Sequence, residues 1–307
     1  MSLNKYNLIV IIGPTASGKT SVAANLAYKI DGEIISADSR QVYKKMDLGT
    51  GKDYNDYIIK GRKIPYHLID IHNPGYKYNV FEYQKDFIDV FKKIQKNSKM
   101  PILCGGTGLY IESIIKGYKM MPVPPDNKLR AELEQHSLDE LTLILSKYKK
   151  LHNKTDIDTK KRAVRAIEIE KFHFDHKKEL LNFPEIKHLI IGVKYDRQSQ
   201  RKRITERLKY RIENGMIEEV KGLIESGIDP TDLLYYGLEY KYIIMYILNE
   251  LSYDEMFTKL NTAIHQFAKR QMTWFRRMER KDLQIQWLDG YMPMDEKIKT
   301  IQENLNS

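Results

Sequence analysis

The sequence predicts an α/β fold: a parallel sheet flanked by helices and interrupted by a helical insertion. Short, continuous apolar runs recur at 8–12, 34–36, 67–71, 101–104 and 188–193, each bounded by turn residues. Helical apolar patterns occupy 21–30 and 81–95 between them. Unbroken rather than alternating apolar character is what strands covered on both faces need, and strand–helix alternation builds a doubly wound sheet.

Taken in order, the run at 8–12 (Leu-Ile-Val-Ile-Ile) is a central buried strand, and its glycine-rich sequel leads into the first helix. The 34–36 and 67–71 runs add strands, and 101–104 adds another ahead of a second glycine-rich turn. The alternation stops at Met121-Pro122-Val123-Pro124-Pro125, which continues neither a helix nor a central strand. The chain then reads as helical and strand-poor to about residue 178, and the 188–193 run restores the sheet. The expected organisation is a core of 1–121 and 187–307 with a helical insertion at 122–186. After Val193 the pattern is mostly helical and ends in a polar tail.

The 307 residues are 42% hydrophobic and 30% charged, too apolar for a disordered chain. A single cysteine, Cys104, excludes an internal disulfide framework and fits a reducing compartment; it reads as a small buried apolar residue. No run approaches the ~18 apolar residues of a membrane span, so no membrane partner is expected and a cytoplasmic, monomeric protein is. Lys and Arg exceed Asp and Glu by 51 to 41, a formal charge of +10. That excess suits a polyanionic partner, but it is spread along the chain, as ordinary solubility charge is.

Gly13-Pro14-Thr15-Ala16-Ser17-Gly18-Lys19-Thr20 fits G-x-x-x-x-G-K-[ST] between a strand and a helix. Glycines turn backbone N–H groups inward around a phosphate, and the helix N-terminus adds partial positive charge. Lys19 supplies a cation, and the Thr20 hydroxyl is placed to hold Mg²⁺. The loop thus predicts a P-loop-type sheet and a bound di- or triphosphate. It does not say which ester; ATP is the usual occupant.

Asp38 in Ser36-Ala37-Asp38-Ser39-Arg40-Gln41 follows a strand and should reach the same crevice. There it can bind Mg²⁺, accept a proton or cap a turn. Asp70 is a rival for the metal, or a strand-end cap. Thr107 in Cys104-Gly105-Gly106-Thr107-Gly108 should face the crevice too. Asn153-Lys154-Thr155-Asp156 matches a guanine-reading motif but lacks the buried strand that motif follows. Three basic clusters complete the set. The first is Lys160-Lys161-Arg162-Ala163-Val164-Arg165. The second comprises Arg203, Arg207 and Arg211, beside the apolar stripe of Ile204, Leu208 and Ile212. The third runs from Lys269 to Arg277. Each alone reads as a solvated face.

Together, the segments 13–20, 36–43, 105–110, 161–168 and 269–276 resemble, in order, those of the tRNA dimethylallyltransferases, also called tRNA isopentenyltransferases. The resemblance spans about 1–290. It implies transfer of a dimethylallyl group from dimethylallyl diphosphate to N6 of the adenosine 3′ to the tRNA anticodon, releasing diphosphate. The P-loop would then hold the donor's diphosphate, with Mg²⁺ on Thr20. Asp38 matches the family's base, Thr15 the residue at the bridging oxygen, and Arg207 would stabilise the leaving group. By the same carry-over Asp38, Ser39, Arg40, Gln41 and Thr107 would meet tRNA, as would Lys161 to Arg165 and Gly237 to Lys241. So would Lys269, Arg270, Gln271, Thr273, Trp274 and Arg276, while the insertion grips the anticodon stem-loop. The stretch at 237–241 (Gly-Leu-Glu-Tyr-Lys) departs from the family's Gly-Tyr-Lys-Glu, and one cysteine cannot build the eukaryotic zinc finger. The alternative reading is a small-molecule kinase using ATP, which needs no RNA-facing basic clusters.

Overall fold

A computed structural model describes residues 5–151, 155–176 and 183–306. The chain divides into two compact units, 1–118 with 183–307, and 119–182.

The larger unit begins with β1 (Leu8–Ile12), α1 (Lys19–Ile30) and β2 (Glu33–Ala37). A small hairpin, β3 (Ile58–Ile59) with β4 (Arg62–Lys63), precedes β5 (Tyr66–His67). Then come α2 (Val80–Lys96), β6 (Pro101–Gly105) and α3 (Gly108–Ile115). In the smaller unit lie α4 (Asn127–Leu133), α5 (Leu138–Tyr148) and α6 (Lys160–Asp175). The larger unit resumes with β7 (His188–Lys194), α7 (Arg197–Glu213), α8 (Met216–Glu225), α9 (Pro230–Leu233) and α10 (Leu238–Ile247). It closes with α11 (Tyr253–Glu279), β8 (Gln286–Asp289) and α12 (Met294–Asn306).

Six strands form one parallel sheet in the order β5-β2-β6-β1-β7-β8. Every residue of β1, β2 and β6 is buried, as continuous apolar runs require. The N-termini of α2, α5 and α11 carry reciprocal capping boxes, on Asn79 with Glu82, Ser137 with Glu140 and Ser252 with Glu255. In the smaller unit, Leu129, Leu133, Leu141, Leu145, Ala163, Val164, Ala166 and Ile167 make a core of their own.

Three expectations are corrected. The strand expected over 67–71 ends at His67, because Leu68 and Asp70 take positive φ (61° and 56°). The expected polar tail contains β8 and α12, whose Leu288, Ile298 and Ile301 join the sheet's core. Ala163 and Val164, expected at the tRNA, are 0% and 6% exposed and belong to the smaller unit's core.

Candidate functional site

The phosphate loop is built by steric necessity. A Cβ at Gly13 would lie 2.6 Å from the Val193 carbonyl oxygen, so only glycine lets the loop leave β1 beside β7. Gly18 takes φ 78° where the chain turns into α1, a left-handed geometry that glycine adopts without a Cβ penalty. Lys19 begins the helix, and burial pushes its ammonium below the ordinary lysine range, while Asp38 opposes that shift.

The ends of β2 and β6 are knitted together over the loop. The Thr107 N–H donates to the Ala37 carbonyl at 3.1 Å, and the Ser39 N–H donates to Thr107 Oγ1 at 3.1 Å. Asp38 Oδ1 accepts the Arg40 N–H at 2.9 Å, the turn-capping role. Its second oxygen accepts no hydrogen bond from the protein among the described residues, so capping one turn leaves half the carboxylate for other work. Cys104 lies beneath, its thiol pushed up to about 12 by burial, an inert apolar filler.

Helix α7 lays its basic stripe along the loop, with Arg203 still exposed. Arg203 Nε donates to the Ala16 carbonyl at 3.0 Å. Arg207 reaches Thr15 Oγ1 and the Gly51 carbonyl, each at 3.4 Å, and pairs with the Asp53 carboxylate. Arg211 is buried and reaches the other Asp53 oxygen at 3.3 Å. Ile204, Leu208 and Ile212 supply the buried stripe beneath.

A cavity of about 600 Å³ opens beside the loop. Thr15, Lys19, Thr20, Asp38, Thr107 and Arg207 line one part of it. Arg40, Leu109, Leu234, Tyr235, Lys241, Phe267, Arg270 and Trp274 line the remainder. Leu109, Leu234, Tyr235 and Phe267 are exposed apolar or aromatic groups, suited to covering a flat ring. The Arg40 guanidinium lies 5.0 Å from the Tyr235 ring centre. A second space of about 440 Å³ lies on the other side of Lys19, Thr20 and Arg207, bordered also by Gly18, Ser21, Asp53 and Asp56. Lys19 and Arg207 therefore border both spaces.

The remaining expected residues fall in distinct places. Ser39, Gln41 and Gly237 also line the cavity. The Gln41 amide is engaged within the protein: Oε1 accepts from Ser36 Oγ at 3.1 Å and Nε2 donates to the Gly51 carbonyl at 3.0 Å. Gln271 is buried and bonded to the Thr15 N–H and the Gly106 carbonyl. Lys269, Thr273 and Arg276 are exposed on α11 and outside the cavity lining. In the smaller unit Lys161 is exposed, Arg162 pairs with Asp158, and Arg165 pairs with Glu168 and donates to the Val123 carbonyl at 2.9 Å. Asp70, the rival for the metal role, is not among the residues lining the cavity and is held by buried Lys52 and by Tyr54 Oη. Asn153 and Lys154 lie outside the described residues; Asp156 pairs with Lys149 at 2.8 Å.

Sequence reasoning missed three supports. Asp53 joins Arg207 to Arg211. Glu219 accepts the N–H groups of Asp47, Leu48 and Gly49 at 2.7, 2.7 and 3.0 Å, fixing the segment that carries Gly51. Buried Glu112 holds Arg277 at 2.7 Å, and Arg277 lies 4.0 Å from the Trp274 ring centre. In each case the signal is an acidic residue whose partner is distant in sequence, which no local pattern reveals.

Residues 41–278 match a family model described as IPP transferase. A tRNA dimethylallyltransferase 2 of Bacteroides fragilis (strain YCH46) is 59% identical over 305 residues, 99% of each chain. Another from Pelobacter propionicus is 47% identical, over 98% of this chain and 95% of its own. The solved tRNA isopentenylpyrophosphate transferase of Bacillus halodurans superposes with a TM-score of 0.71 at 31% identity, over 98% and 96% of the two chains. A eukaryotic dimethylallyltransferase acting on tRNA shares the fold, with a TM-score of 0.76 at 22% identity, over 92% of this chain and 73% of its own. On this full-length similarity, the chain belongs to the IPP transferase family, among relatives named tRNA dimethylallyltransferases.

Proposed function

We propose that this enzyme transfers a dimethylallyl group from dimethylallyl diphosphate to N6 of the adenosine 3′ to the anticodon of tRNA. The transfer of dimethylallyl to tRNA follows from the family; the donor, the acceptor atom and the residue roles are our reading. One observation carries it. A phosphate loop and a half-free carboxylate, Asp38, line the same cavity, whose remaining wall is aromatic, apolar and basic. Relatives alike over the whole chain do not favour a kinase.

An exocyclic adenine amine is a poor nucleophile, because its lone pair is delocalised into the ring. As N6 attacks the allylic carbon, the carbon–oxygen bond to diphosphate breaks, and the new C–N bond makes the amine acidic. The free oxygen of Asp38 takes that proton. Negative charge grows on the departing diphosphate, where Lys19, the helix N-terminus and Arg207 stabilise it; Thr15 stands beside Arg207 to meet the bridging oxygen. No covalent bond to the protein is needed. The target base must leave its stack to enter the cavity, with Tyr235, Phe267 and Trp274 available to cover it. The smaller unit would hold the anticodon stem-loop through phosphates.

The donor set fits Mg²⁺. Thr20 offers a hydroxyl bordering both spaces, with Asp38 in one and Asp56 in the other. Among the described residues no group of three or more His, Cys, Asp or Glu forms a metal cage. Mg²⁺ ordinarily takes one or two protein oxygens, several waters and phosphate oxygens, as such a set would allow. When bound it neutralises diphosphate charge. The test is incubation with labelled dimethylallyl diphosphate, Mg²⁺ and tRNA, followed by nucleoside analysis. Label on N6 of adenosine is expected; phosphoryl transfer from ATP without prenyl transfer would refute the reading.

A further inference from the structure

Thr15 is gripped by side chains that lie outside the phosphate loop. Its N–H donates to Gln271 Oε1 at 2.8 Å, from α11. Its carbonyl accepts from Gln200 Nε2, and its hydroxyl accepts from Arg207 at 3.4 Å, both from α7. The far end of the Gln271 amide donates to the Gly106 carbonyl at 3.0 Å. A Cβ at Gly106 would lie 2.3 Å from Gln271 Nε2, so glycine at 106 is what admits the amide. Gln271 is 7% exposed, and with both ends bonded its orientation is set.

The Thr15 N–H is thereby committed to Gln271 rather than to a phosphate, unlike the amides that a phosphate loop normally turns toward its ligand. We infer that Gln271 is a positioning residue for the transfer: together with Gln200 it clamps the Thr15 peptide, and so holds the Thr15 hydroxyl where the donor's bridging oxygen arrives. This rests on the functional reading above, and it replaces the tRNA contact that the sequence pattern implied for Gln271. A clamp from α11 and α7 fixes Thr15 against a rigid frame, which matters because misplacement by about 1 Å can cost about 10²-fold in rate.

Gln271→Met keeps the volume and removes both hydrogen-bonding ends. We expect kcat to fall about 10- to 100-fold, with equilibrium binding of tRNA within about twofold of wild type. In a Thr15→Ala background the same change should cost under about threefold, because residues acting through one another are not additive. If Gln271→Met instead weakens tRNA binding about tenfold while kcat at saturating tRNA is kept, Gln271 reads RNA and the inference fails. It also fails if the two losses multiply in full. Should Gln271→Met not fold, Gln200→Met must show the same loss of kcat; an unchanged kcat there overturns the clamp. A wild-type chain that makes no prenylated product refutes the functional reading, whereas an active wild type with an unaffected Gln271→Met refutes only this inference.

Discussion

Asp53 holds Arg207 with one carboxylate oxygen while its other oxygen lies 3.3 Å from Arg211. Arg207 is thus aimed at Thr15, and Arg211 behind it is buried, with burial and the charge of Arg207 drawing its own pKa below the ordinary arginine value. Burial opposes ionisation of Asp53, but the two guanidiniums prevail and hold it below the usual carboxylate range. Because the folded-state pKa is depressed, the stability that Asp53 adds is complete above the unfolded carboxylate value, near pH 4, and is lost as pH falls through the folded value.

Asp53→Asn should therefore lower stability at neutral pH by about 1–2 kcal/mol, since it leaves buried Arg211 without its counter-charge. The variant's stability should also depend less on pH in the acid range. Denaturant unfolding of both proteins between about pH 3 and 7 checks this; superimposed curves would show that the pair contributes nothing.

Asp38→Ala should reduce prenyl transfer by about 10²- to 10⁴-fold, the usual share of general-base catalysis, with tRNA binding nearly retained. The check is single-turnover transfer at saturating tRNA. Activity within a few-fold of wild type would remove Asp38 from the reaction.

Lys19 binds diphosphate only as an ammonium, and burial draws its pKa below the ordinary lysine value. Affinity for inorganic diphosphate should then decline at a lower pH than a surface lysine near 10.4 would dictate. Titrations from about pH 7 to 10.5 should show that decline in the wild type, and Lys19→Ala should bind weakly and without it.

Binding of tRNA should fall steeply with salt, because phosphate contacts release counterions. Removing one contributing cation, as in Arg270→Ala, should flatten the logarithmic slope by about 0.7–0.9. A salt-insensitive affinity would rule out the basic surface as an RNA-binding face.

Local chemistry made much of this molecule legible. Leu8–Ile12 and the glycines after it specify a buried strand and a phosphate loop within fifteen residues, and the structure has both. Long-range chemistry was hidden. The 67–71 run has strand composition, yet Asp70 is drawn out of the strand by Lys52 and Tyr54, 18 and 16 residues earlier. β8 was masked because Gln286 and Asp289 are exposed on a sheet edge, leaving Trp287 and Leu288 as its only inward apolar signal. At the site, Asp38 and Thr107 were visible because each follows a strand into the crevice. The amides of Gln41 and Gln271, expected at the RNA, are also bonded within the protein frame, Gln271 to a partner 256 residues away in sequence.

The central claim is that the phosphate loop holds an allylic diphosphate rather than ATP. Equilibrium titration of the wild type and Lys19→Ala with dimethylallyl diphosphate and with ATP, in Mg²⁺ and saturating tRNA, tests it most directly. Dimethylallyl diphosphate is expected to bind the wild type, Lys19→Ala to lose that binding, and excess ATP not to displace the donor. Tight ATP binding at Lys19, with donor affinity unchanged in Lys19→Ala, would contradict it.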